Sequence, residues 1–86
     1  MANESFKLDY EALRAADRDG MYIEPLSCYP YMMTVENASE FLGQTKQAIT
    51  LYLREGRLKG VKSGRSWRIP KCRFIEFLYM NENHTS

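Results

Sequence analysis

The chain is 86 residues long, 44% apolar and 13% aromatic, with a formal net charge of +1. That length bounds one small domain, and the apolar share argues against wholesale disorder. No apolar run reaches the roughly 20 residues that span a bilayer, and the first residues lack the basic and apolar regions of a signal peptide, so the expectation is a cytoplasmic protein with no membrane partner.

The near-neutral total conceals a strong separation of charge. Between Gly43 and Arg73 stand Lys46, Arg54, Arg57, Lys59, Lys62, Arg65, Arg68, Lys71 and Arg73 against a lone acid, Glu55. Residues 1–42 carry only Lys7, Arg14 and Arg18 against Glu4, Asp9, Glu11, Asp17, Asp19, Glu24, Glu36 and Glu40. A basic block of that density suits a polyanion, first of all nucleic acid. Catalytic patterns are missing: His84 lies near the end, and no Ser/His/Asp set, carboxylate pair or phosphate loop is present. Cys28 and Cys72 have no metal-ligand spacing and are expected as small, semi-buried apolar side chains. The expectation is no enzyme, no metal and no cofactor.

In chain order, residues 5–19 predict a helix through Phe6, Tyr10, Leu13 and Ala16, stopped at Gly20. Asp17 to Gly20 (DRDG) lacks the alternating ligands of a calcium loop and reads as a helix C-terminus entering a glycine turn. Met21 to Met33 holds Pro25 and Pro30 among apolar residues, which predicts an extended, irregular connector. It is too apolar for a solvated linker. It either packs back on the domain or serves as a contact surface for a partner.

From Thr34 the pattern sharpens. Thr34 predicts an N-cap, Val35, Ala38, Phe41 and Leu42 one apolar helix face, and Gly43 a left-handed turn. Thr45 predicts the cap of a second helix to about Arg54, with Ile49, Tyr52 and Leu53 inward and small Ala48 allowing close approach. Two short helices joined this way form a helix-turn-helix. Gly60 to Ile69 predicts a hairpin turning at Ser63 to Ser66, with Val61, Trp67 and Ile69 on the core side. Pro70 predicts the first position of a last helix whose inner face is Phe74, Phe77 and Leu78, fraying from Asn81. Lys71 and Arg73 are expected to keep that helix's outer face soluble, and Glu55 to pair with Arg57 or Arg54. The fold class is therefore mainly α with a small hairpin, a winged helix-turn-helix. Its divisions are an N-terminal acidic arm at 1–32, the winged domain at 33–80 and a tail at 81–86.

Four segments carry a resemblance: Met33 to Gly43 (MTVENASEFLG), Arg54 to Leu58 (REGRL), Val61 to Pro70 (VKSGRSWRIP) and Phe74 to Leu78 (FIEFL). In this order and spacing, residues 33–78 resemble the excisionase-type, MerR-like winged helix-turn-helix domain. Asn37 and Ser39 depart from it where Glu and a small residue are frequent, and the first 32 residues fall outside it. The resemblance implies sequence-specific binding of double-stranded DNA, as a recombination directionality factor acting with a recombinase (integrase) or as a small transcription regulator. It also implies that the second helix enters the major groove while the hairpin covers a minor groove or the backbone.

On that geometry Lys46, Gln47 and Thr50 are the expected base-edge readers, since Gln suits adenine and Lys can reach guanine. Thr45 is expected to cap its helix and donate to a phosphate. Arg54, Arg57, Lys59, Lys62 and Arg68 are expected backbone clamps, and Arg65 at the hairpin tip a minor-groove arginine. The ordinary reading of a charged helix face is solvation, and of a lone strand tryptophan such as Trp67, core packing. The functional reading gains because the bases fall on both elements a winged helix offers to DNA. A rival of another class is a protein-interaction adaptor, of phage-packaging type, working through Met21 to Met33. Cooperative homo-oligomers are a further expectation, with the acidic arm on a neighbour's basic face; the same arm is equally suited to fold over its own.

Overall fold

The computed structural model describes residues 11–85, with side chains through 81. The first helix, α1, is described at 11–16; the part expected at 5–10 lies outside the described residues. Then follow β1 (Met32–Met33), α2 (Val35–Leu42), α3 (Lys46–Arg54), β2 (Val61–Ser63), β3 (Ser66–Pro70) and α4 (Lys71–Thr85). The architecture is mainly helical with a three-stranded antiparallel sheet in the order β1-β3-β2, compatible with a winged helix-turn-helix.

Local chemistry accounts for the helix ends. Thr34 Oγ1 accepts from the Asn37 N–H at 3.0 Å, and the Asn37 side chain accepts from the Thr34 N–H at 3.0 Å. This capping box satisfies two otherwise unpaired donors of α2, so Asn37 supports the helix rather than costing it. Gly43, with φ 68°, closes α2 by donating to the Ser39 carbonyl at 2.9 Å. Thr45 caps α3 by accepting from the Ala48 N–H at 3.1 Å. Ile49 and Leu53 then turn inward and share the buried core with Ala38. Gly60 permits a close crossing: a Cβ there would stand 2.7 Å from Leu53 Cδ2 and 3.1 Å from the Arg68 carbonyl.

The apolar connector packs inward on its own domain. Leu26 and Met33 are fully buried, and Tyr22 and Tyr29 pack against the core. Its backbone forms turns before β1 rather than a uniformly extended strand. Asp17 organises the approach. Closing α1 with an N–H to the Leu13 carbonyl at 2.8 Å, it accepts from the N–H groups of Met21, Tyr22 and Ile23 at 2.9 Å each. The Tyr79 hydroxyl also donates to Asp17, while accepting from the Asp19 N–H at 3.0 Å. At 4% exposure, burial alone would raise the Asp17 pKa; the four donors outweigh it and hold the carboxyl below its usual value.

Several expectations are corrected. The extended chain expected up to Met33 ends in a strand, β1, that adds a third member to the sheet, with Met33 opposite Ile69. Val61 is 57% exposed rather than in the core, because the register sets it opposite Arg68 while Lys62 faces Trp67. Pro70 ends β3 opposite Met32, and α4 begins one residue later. That helix runs to Thr85. Ile75 and Tyr79 join Phe74, Phe77 and Leu78 in the core, since the arm covers a second flank of α4. Cys28 is exposed, while half-buried Cys72 lies 3.2 Å from the Tyr31 hydroxyl.

Lys71 departs furthest from expectation. It is 6% exposed, and its Nζ donates to the carbonyls of Leu26 at 2.8 Å and Tyr29 at 2.7 Å. Burial pushes its pKa below the ordinary value. This lysine is a clasp for the connector, not a solubilising surface charge.

The Asp17 hub is testable. Its stabilisation is complete above about pH 4 and is lost as pH falls through the depressed folded pKa. Asp17→Asn should cost about 2–3 kcal/mol at neutral pH, lowering Tm by roughly 10 °C or more. The gap from wild type should narrow as the pH approaches 3. Equal melting temperatures at pH 7 would contradict the hub.

Candidate nucleic-acid interface

The start of α2, the outward face of α3 and the hairpin enclose an open groove of about 520 Å³. It is lined by Thr34, Val35 and Glu36 from the α2 end, Lys46, Thr50 and Arg54 from α3, and Lys62, Arg65, Ser66, Trp67 and Arg68 from the hairpin. α3 and the hairpin thus bring five cations to one concavity, and the start of α2 completes its lining. Their field is barely neutralised. Glu36 is the sole acid of the lining, and it meets Lys46 at 3.5 Å with both side chains exposed. An exposed pair of this kind contributes about 0–1 kcal/mol and yields readily to a stronger anion. Among the described residues, no carboxylate pairs with Arg54, Lys62, Arg65 or Arg68.

The scaffold explains how each side chain is aimed. Capping at Thr34 and Thr45 fixes where α2 and α3 begin, and Gly43 turns the chain between them. Inward Ile49 and Leu53 leave Lys46, Gln47, Thr50 and Arg54 outward. Thr45 is exposed, and since its oxygen accepts in the cap, its hydroxyl hydrogen remains available to donate. The turn at Ser63 to Ser66, with Gly64 at φ 63°, puts Arg65 at the hairpin tip. Trp67 is half-buried: it packs on the core and also walls the groove, with Lys62 Nζ 5.8 Å from its ring centre.

Arg57 and Lys59 stand elsewhere. They line a separate cleft of about 370 Å³ with Gly56, Arg73, Glu76, Phe77, Met80 and Asn81, sharing no residue with the groove. Arg57 lies over the Tyr52 ring, 5.1 Å from its centre, and pairs with Glu55 at 3.7 Å, the local ion pair expected of that acid. Arg73 bonds Glu76 at 3.1 Å. The basic block, continuous in sequence, is therefore divided in space. No described residue before Thr34 lines the groove, so the described arm does not cover it.

Sequence reasoning missed the contribution of the α2 end to the groove, and exposed Leu51 among the polar residues of α3. Glu36 carried a signal, being an acid in the first turn of one helix with a lysine at the start of the next. Among the described residues no cluster of His, Cys, Asp or Glu could hold a metal ion, and no helix is long and apolar enough to cross a membrane.

Comparison with known proteins agrees with this geometry. A family model described as a helix-turn-helix domain matches residues 32–78. Searches of curated proteins and of solved structures find no match. The matched segment runs from β1 through both helices and the hairpin into α4, more than half of the chain, and the chain belongs to the helix-turn-helix domain family.

Proposed function

We propose that this protein binds double-stranded DNA sequence-specifically, with α3 in the major groove and the hairpin against an adjacent minor groove or the backbone. The observation that carries the reading is the convergence of Lys46, Arg54, Lys62, Arg65 and Arg68 on one groove beside the polar face of α3. In this reading Lys46, Gln47 and Thr50 meet base edges, and Lys46 exchanges Glu36 for its DNA contact. Thr45, Arg54, Lys62 and Arg68 hold phosphates, which fixes position without specifying sequence. Arg65 enters a minor groove. Arg57 and Lys59, lying in the separate cleft, add to the long-range field that attracts DNA.

The resemblance of residues 33–78 supports a narrower role. The protein acts as an excisionase-type directionality factor of a mobile element, organising DNA for a recombinase without catalysis of its own. Exposed acids on the described arm, such as Glu11, Asp19 and Glu24, offer a complement to the basic surface of a neighbouring copy and a basis for cooperative binding. Use of the same site by a small transcription regulator is the rival.

Two experiments test these levels separately. If Arg54, Lys62 and Arg68 each neutralise a phosphate, log Kobs against log salt should fall with a slope of about −3. Arg68→Ala should reduce that slope by about one, whereas Gln47→Ala should leave it unchanged and relax sequence preference. A slope near zero would contradict DNA binding. For the narrower role, deleting the gene should abolish excision of its element; excision that persists, with altered transcription, would favour the regulator.

A further inference from the structure

The outward face of α3 carries a side chain that neither the core nor the basic groove requires. Leu51 is 48% exposed, although Ile49 and Leu53 on the same helix are buried. A single exposed leucine is ordinary on a protein surface. Its position is not. Leu51 shares a shallow surface with Lys46, Gln47, Thr50 and Arg54, so one apolar group is set among four polar or charged ones. Gln47 precedes it by four residues and Arg54 follows by three, which stacks the three along one face of the helix.

A helix face presented to the major groove meets hydrogen-bonding base edges almost everywhere. The apolar exception is the 5-methyl group of thymine. An isobutyl side chain can offer no hydrogen bond, so beside cytosine or a purine edge it would leave polar atoms dry and unpaired. Against a methyl group it removes apolar surface from water on both partners. Resting on the DNA-binding reading above, we infer that Leu51 is a specificity-determining residue that packs on a thymine methyl group. Gln47 and Thr50 read the hydrogen-bonding edges next to it. The polar residues of α3 thus supply only part of the code.

The test begins with a duplex selected from a random-sequence library by the full chain. Each thymine is then replaced singly by deoxyuridine, which removes only the methyl group, and Kd is measured for wild type and Leu51→Ala. At one position deoxyuridine should weaken wild-type binding about fourfold, and the same replacement should change Leu51→Ala binding by less than about twofold. The variant should melt within a few degrees of wild type, since the side chain is exposed. If no thymine responds in wild type, or if the penalty persists undiminished in Leu51→Ala, the inference is overturned while the selected duplex keeps the DNA reading standing. Failure to select any duplex would overturn both.

Discussion

The pairing of β1 with β3 is the constraint from which the remaining geometry follows. Met33 and Ile69 face each other across this ladder and are both fully buried. One residue beyond Met33 the Thr34 cap opens α2, which leads to α3; one residue beyond Pro70, α4 begins. A single short ladder therefore ties the helix pair, the hairpin and the last helix together. Ile69 of β3 shares a core with Ile49 and Leu53 of α3, and the close approach of Leu53 at Gly60 brings α3 beside the hairpin. A slip by one residue would turn Met33 out of the core. The Lys71 N–H, donating to the Tyr31 carbonyl at 2.7 Å, and its ammonium, shared by the Leu26 and Tyr29 carbonyls, resist that slip. Burying an ammonium is costly without such partners, so the clasp is specific to one register.

Charge separation along the chain has a similar spatial logic. The described arm is held to α4 by Asp17 and Tyr79, by apolar packing and by the Lys71 clasp, while the groove cations take no part. Tyr22 meets Tyr79 edge to face at 5.1 Å, and Arg18 lies 4.8 Å from the same ring centre. With these residues engaged at one end of the core, the groove at the other element set keeps its positive field. The described part of the arm and the basic groove have no lining residue in common.

How much of this was legible in advance depends on the range of the interactions involved. The caps at Thr34 and Thr45, the turn at Gly43, the hairpin turn at Ser63 to Ser66 and the Glu55–Arg57 pair are decided by neighbours within a few residues, and sequence spacing reveals them. Lys71 could not be read that way, because its partners lie 45 and 42 residues earlier. Asp17 depends on Tyr79 in the same manner, 62 residues away. Alternation alone placed Val61 inward, but register belongs to the pair of strands and sets it beside Arg68. The basic block itself was evident from counting. Its division into a groove set and the Arg57, Lys59 and Arg73 cleft is a property of the fold.

The proposed function places duplex DNA in the groove between α3 and the hairpin. Titration of uniformly 15N-labelled protein with a selected duplex, followed by amide chemical shifts, tests it most directly. The largest changes should fall on Lys46, Gln47, Thr50, Arg54, Lys62, Arg65 and Arg68, with the amides around Arg73 and Met80 little altered. Changes confined to the cleft of Arg57, Lys59, Arg73 and Met80, with α3 and the hairpin unaffected, would contradict the account.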